Sequence, residues 1–216
     1  MHSPPDAVLF DMDGTLIDSE PIWFDTEVAI LAEFGYRLGP EHWPRVLGQP
    51  NEVAVAYLLE VSGIPLTPEQ LNMRIEDAMA ERLGQGMDLI PGAKELLTAL
   101  GSVGTPTALV SASSRRIVDA CLASIGPHHF RFTISGDDVT LSKPEPEPYM
   151  KAARLLDVEP ERCVVIEDSP NGTASGIAAG CRVVAIPHAA VLPPHPRLTT
   201  VDSIAAVNLD TLRALF

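Results

Sequence analysis

Val8-Leu9-Phe10-Asp11-Met12-Asp13-Gly14-Thr15 sets the reading of the whole chain. A short apolar run stops at two carboxylates and a Gly-Thr turn. Aspartates this close at a strand end repel each other where water is scarce. A bound divalent cation removes that cost and leaves a carboxylate facing whatever else the cation holds. The pair therefore points to Mg²⁺-assisted phosphoryl transfer with Asp11 as the attacking group. An exposed strand-to-turn junction is the competing reading, because Asp and Gly are common there. The rest of the chain has to choose between them.

Working outward, Ala7–Phe10, Thr107–Val110, Phe132–Ile134, Cys163–Ile166 and Val183–Ile186 are short runs, mostly apolar on both faces. That is the pattern of strands buried in a parallel sheet. Helical stretches at Ala93–Leu100, Arg115–Ile125, Pro148–Leu156 and Thr173–Ala179 separate the later runs. Strands alternating with helices predict an α/β, doubly wound parallel sheet, whose ligand crevice lies beyond the C-terminal strand ends.

The interval between the first two strands is too long for one crossover. It holds amphipathic helical segments near Pro21–Glu33, Glu52–Val61 and Pro68–Leu83. The expected organisation is a core of 1–18 and 87–216 with an inserted helical module at 19–86. Such a module, placed directly after the Asp-rich strand end, is expected to act as a lid. A surface decoration is the other possibility. Gly92 falls near a helix start. The tail Pro187–Thr200 reads as loop because Pro187, Pro193, Pro194 and Pro196 interrupt hydrogen bonding. His188 and His195 have no partners at metal spacing there and read as solvated loop residues.

With 216 residues, 46% of them hydrophobic and 20% charged, the chain reads as a globular protein with room for a core and a smaller module. It has no apolar stretch of ~18 residues and no basic-then-apolar leader, so membrane spans and secretion are not expected, and a cytoplasmic protein is. Cys121, Cys163 and Cys181 are odd in number and widely spread, which suits buried thiols of a reducing compartment. A net charge of −14 argues against a nucleic-acid partner. It also demands a local cation before an anionic substrate is welcome.

Three further strand ends carry polar groups. After Val110 come Ser111-Ala112-Ser113-Ser114. A hydroxyl at Ser111 and backbone N–H groups near Ala112 suit a phosphate oxygen, while Ser113 and Ser114 serve equally well as helix caps. After the third strand, Lys143 opens the stiff run Lys143-Pro144-Glu145-Pro146-Glu147-Pro148. An ammonium held beside a phosphoryl group offsets developing charge, whereas an isolated Lys is ordinary surface. After Ile166 come Glu167-Asp168-Ser169. Asp11, Asp168 and the carbonyl of Asp13 provide the oxygens that Mg²⁺ takes, and Glu167 can ligate directly or through water. Asp168 as a helix cap is the plainer alternative.

These motifs, in this order, resemble the haloacid-dehalogenase superfamily of phosphohydrolases, and the match spans nearly the whole chain. The inserted module resembles the small helical cap of the subgroup holding β-phosphoglucomutase and the sugar-phosphate phosphatases. The resemblance implies a Rossmann-like core and a Mg²⁺-dependent, two-step reaction on a small phosphorylated metabolite, with a monomer expected. It implies that Asp11 becomes an aspartyl-phosphate, that Asp13 serves as acid then base, and that Lys143 and Ser111 hold the transferring group. In β-phosphoglucomutase the cap supplies a His and an Arg for a second phosphate. Here Ile22 stands near the place of the His, and Asn51, in Leu47-Gly48-Gln49-Pro50-Asn51, stands where the Arg aligns. That difference favours a hydrolase over a phosphomutase, and makes Glu20 and Asn51 candidates for sugar hydroxyls. A dehalogenase is disfavoured because it has no use for Asp13. A phospho-accepting signalling domain is disfavoured by the helical insertion.

Overall fold

The computed structural model describes residues 3–46, 49, 51–187 and 191–216. The chain divides into two compact units, Met1–Asp18 with Asp88–Phe216, and Ser19–Met87.

The larger unit is built on one parallel sheet. Its strands are β1 (Ala7–Phe10), β2 (Thr107–Val110), β3 (Phe132–Ile134), β4 (Cys163–Glu167), β5 (Arg182–Ala185) and β6 (Leu198–Thr200), in the spatial order 3-2-1-4-5-6. Val8 pairs with Thr107 on one side and Val164 on the other. The chain thus winds outward in both directions from β1 and β4, and the crevice of such a sheet lies where the winding reverses. The strands β1, β2 and β4 are buried along their whole length, which explains why they carry apolar residues on both faces.

The smaller unit contains α1 (Glu20–Glu33), α2 (Trp43–Val46), α3 (Asn51–Ser62) and α4 (Pro68–Gly84). Pro68 starts α4, and Thr67 and Gln70 cap it reciprocally, so its N-terminal donors are satisfied. Leu71, Ile75, Met79 and Leu83 of α4 recur at helical spacing and are all buried. In α1, Thr26 and Glu27 are buried beside Ile30 and Leu31, so this helix is less cleanly amphipathic than its sequence suggests. Leu47, Gly48 and Pro50 lie outside the described residues.

The helices of the larger unit are α5 (Ala93–Ser102), α6 (Arg115–Ile125), α7 (Glu147–Leu156), α8 (Pro170–Ala178) and α9 (Leu209–Arg213). One face of the sheet, with Ala7, Leu9, Val110, Cys163, Val165 and Val183, packs with Tyr149, Ala152, Ala153 and Leu156 of α7. Each large apolar side chain buried this way contributes roughly 1.5–3 kcal/mol. No helix among the described residues is long and apolar enough to cross a membrane.

Two readings need correcting. The tail is not loop throughout, because Leu198–Thr200 adds β6 to the sheet beside β5. Its prolines end at Pro196, and an edge strand with Leu198 half-buried and Thr199 and Thr200 exposed needs no apolar run. Likewise β3 is an edge strand, exposed at Phe132 and buried only at Ile134. His195 is exposed, its ring Nδ1 accepting from Arg197 N at 3.1 Å, and His188 lies outside the described residues.

Candidate active site

The C-terminal ends of β1, β2 and β4 and the segment after β3 bring six of the predicted residues together: Asp11, Asp13, Ser111, Lys143, Glu167 and Asp168. Glu20 and Asn51 belong to the smaller unit. Glu20 opens α1, and Asn51 opens α3, where its amide donates to Asn72 Oδ1.

Asp11 follows β1 directly, and its N–H donates to Ile166 O at 3.0 Å. The residue is 6% exposed. One carboxylate oxygen, Oδ1, accepts from Lys143 Nζ at 2.6 Å. The other, Oδ2, is buried without a hydrogen-bond partner. Burial holds the Asp11 carboxyl well above the usual carboxylate range, and the charges of Glu167, Asp168 and Asp13 add to this against the opposing pull of Lys143.

Lys143 is buried at the head of its proline-rich segment, with a cis peptide to Pro144. Its ammonium is held by three acceptors: Asp11 Oδ1, Glu167 Oε1 at 2.7 Å and Val110 O at 2.9 Å. Burial alone disfavours this charge, but the two carboxylates win and the pKa stands above the ordinary value. Lys143 is therefore no isolated surface lysine.

Glu167 is fully buried at the end of β4. Its Oε1 also accepts from Tyr149 Oη at 2.9 Å, and its Oε2 accepts from Asp168 N, Ser169 N and Ser169 Oγ at 3.0–3.1 Å. The helix cap of α8 is Ser169, whose hydroxyl accepts from Gly172 N, so Asp168 does not cap it. Instead Asp168 reaches back over the Asp11–Thr15 turn. A Cβ on Gly14 would lie 2.1 Å from Asp168 Oδ2, and Gly14 has φ +79° besides, so glycine is needed there on two counts.

Asp11, Glu167 and Asp168 each offer a carboxylate oxygen, and these oxygens lie within 4.8 Å of one another. An all-oxygen set with an orphaned buried carboxylate oxygen suits a hard divalent cation such as Mg²⁺.

On the other side of Asp11, Asp13 Oδ2 accepts from Ser111 Oγ at 3.2 Å and Ser113 Oγ at 2.9 Å. Ser111 is buried, with its N–H on Ile134 O, while Ala112 is exposed beside it. Ser114 is the N-cap of α6 by position, but no side chain of the residue makes the capping bond. The N–H of Arg115 is served by Asp137 Oδ2 instead.

The sequence reading missed Tyr149. The one available signal was a tyrosine on the buried face of α7, since a buried phenol must find a partner.

Residues 8–186 match the family model of haloacid dehalogenase-like hydrolases. The chain belongs to that family. Among its relatives is hexitol phosphatase A of Escherichia coli, 32% identical over 206 residues, covering 91% of this chain and 88% of the relative. A phosphatase of phosphorylated carbohydrates from Thermotoga maritima is 29% identical over 185 residues, covering 85% and 86%. In three dimensions the family fold is matched by CbbY of Rhodobacter sphaeroides, solved with xylulose-1,5-bisphosphate. It shares 27% identity and a TM-score of 0.84, with 96% of this chain and 99% of that one covered.

Proposed function

We propose that this hydrolase is a Mg²⁺-dependent phosphatase of small phosphorylated metabolites, of the sugar or polyol phosphate class, working through an aspartyl-phosphate. The observation that carries this reading is the state of Asp11: one oxygen clamped by Lys143, the other buried and unpartnered, in a carboxylate clustered with those of Glu167 and Asp168. A structural aspartate would have both oxygens satisfied. A nucleophile that shares its site with a cation and a phosphoryl group would not.

Asp11, Asp168 and the backbone carbonyl of Asp13 are the groups that would hold the metal. Glu167 has both oxygens in hydrogen bonds, which suits it to fixing Lys143 and the Asp168 turn, or to meeting the metal through water. When bound, Mg²⁺ supplies charge neutralisation for the carboxylates and for the phosphoryl oxygens.

In the first step an Asp11 oxygen forms a bond to phosphorus as the ester P–O bond breaks. The electron pair of that bond goes to the leaving oxygen, which takes the proton carried by Asp13. In the second step Asp13, now a carboxylate, takes a proton from water. The hydroxide so formed attacks phosphorus and releases inorganic phosphate and free Asp11. Lys143 and the Ser111 hydroxyl with the neighbouring N–H of Ala112 would hold the equatorial oxygens as charge spreads over them. A positioned acid at Asp13 is worth ~10²–10⁴ in rate for an alkoxide leaving group.

The names of the hexitol and carbohydrate phosphatases support a sugar or polyol substrate. Glu20 and Asn51 are the candidates for its hydroxyls. Replacing the mutase's cationic anchor by the neutral Asn51 favours hydrolysis over phosphoryl return to a second hydroxyl. The test is a screen of sugar and polyol phosphates that measures inorganic phosphate and isomerised ester together. Phosphate release is expected. Isomerised ester without phosphate would establish the phosphomutase reading instead.

A further inference from the structure

Resting on the phosphatase reading, we propose that Ser113 is a positioning residue that aims the Asp13 carboxyl at the leaving oxygen. Its hydroxyl donates to Asp13 Oδ2 at 2.9 Å, closer than the Ser111 hydroxyl at 3.2 Å.

Ser113 is unusually well held for a loop residue. Its N–H donates to Ser111 Oγ at 3.0 Å, and its carbonyl accepts from Gly136 N at 2.8 Å. Gly136 comes so near that a Cβ there would lie 2.5 Å from Ala112 O. Arg115 then ties the same loop to the end of β3 by donating to Thr133 Oγ1, Thr133 O and Asp138 Oδ2. The loop is therefore braced from β3 before any substrate arrives. The N-cap position of α6 falls on Ser114, so capping is not the duty of Ser113.

The direction of the Asp13 carboxyl matters to its proposed role. The residue lies past the end of β1, in the turn where Leu16 N donates to Met12 O and Gly14 N to Ile17 O. The turn fixes its backbone, but the carboxyl still has two rotatable bonds. A general acid contributes only when its proton is in line with the departing oxygen, and a small misplacement forfeits much of the effect. Two hydroxyls on the same oxygen, Oδ2, hold the plane of the carboxyl from the β2 side. Ser111 has a second duty toward the phosphoryl group, so of these two hydroxyls it is that of Ser113 that can stay on Asp13. The proton that Asp13 delivers as the P–O bond breaks is then delivered along a fixed direction.

Leaving groups separate this role from a merely structural one. A hexitol phosphate loses an alkoxide and needs the proton. Dinitrophenyl phosphate loses a stable phenolate and does not. Single-turnover release of the alcohol and the pre-steady-state burst of dinitrophenolate both report the first step. Ser113→Ala should slow alcohol release by about tenfold or more while changing the burst by less than about threefold. Ser113→Thr, which restores a hydroxyl, should recover most of the alcohol release. Asp13→Asn should show the same selectivity, more strongly. An intact burst also shows that the variant is folded. Equal loss on both esters, or no loss on either, in a wild-type background that turns both over overturns the role of Ser113 and leaves the phosphatase reading standing. A wild-type protein that releases phosphate from neither ester overturns the phosphatase reading and this one with it.

Discussion

The hydroxyl of Tyr149 donates to Glu167 Oε1 across 2.9 Å, with both residues shut off from water. Lys143 Nζ shares that same oxygen and lies 5.1 Å from the centre of the tyrosine ring. Burial pushes the phenol's pKa up, and the neighbouring Glu167 and Asp11 charges push it further, so Tyr149 stays a donor. Hydrogen bonds to charged groups contribute about 1.5–3 kcal/mol. Tyr149→Phe should therefore lower stability by about 2 kcal/mol in chemical denaturation. It should also reduce turnover, because the Glu167 carboxylate that pairs with Lys143 loses one of the donors that hold it in place.

Asp11→Asn should leave no turnover above background. Its fold should survive, since the substitution removes a buried carboxylate that Glu167, Asp168 and Asp13 all repel. With metal chelated, thermal unfolding should find the variant at least as stable as wild type. Clear residual activity would remove Asp11 from the nucleophile role.

Chelation should abolish hydrolysis of p-nitrophenyl phosphate, and added Mg²⁺ should restore it. Mg²⁺ should also raise the melting temperature of the wild-type protein, because a ligand that binds only the folded state stabilises it. Gly14→Ala tests the same cluster from the backbone side. Its new methyl would fall 2.1 Å from Asp168 Oδ2. The Mg²⁺ concentration for half-maximal activity should rise at least about tenfold, as the loss of one good ligand or more would require. An unchanged requirement would take Asp168 out of the metal site.

Glu27, buried in α1, sets a pH dependence of stability. Burial pushes its carboxyl up from 4.5 to about 7, and Oε2 has no hydrogen-bond partner. A carboxyl with a raised folded-state pKa binds extra protons when folded. Its contribution to stability is complete below pH 4.5 and is lost as pH rises through about 7. The difference corresponds to roughly 3 kcal/mol. Glu27→Gln should gain on wild type by up to about that amount between about pH 5 and about pH 8. Urea denaturation of both proteins at the two pH values checks it, and parallel curves would contradict it.

Much of this molecule is legible from its residues, for identifiable reasons. The strands β1, β2 and β4 are buried on both sides, so their interiors are apolar, and the polar residues at their C-terminal ends, Asp11, Ser111 and Glu167, stand out. Where burial is partial the signal fades. In Leu198–Thr200 only Leu198 packs against the core, and the two exposed threonines reveal little. The four-residue helix α2 contains Pro44 and offers no periodicity to read. At the site, residue type reveals which groups carry charge but not which oxygens are already taken. The sequence leaves open whether Glu167 ligates directly or through water, and only the packing of Lys143, Tyr149 and Ser169 around it shows both of its oxygens engaged. Ser113 is ambiguous for a similar reason, because a hydroxyl ahead of a helix has two common uses.

The central place of β1 also governs when the protein becomes an enzyme at all. This strand is synthesised well before its neighbours in the sheet, which begin at Thr107 and Cys163. Until both have been synthesised, the strand that leads into Asp11 lacks its full set of partners, and such long-range parallel pairings close slowly. A nascent chain, or one truncated before β4, should therefore expose an apolar Ala7–Phe10 segment, a target for holdase chaperones and for aggregation, and carry no activity.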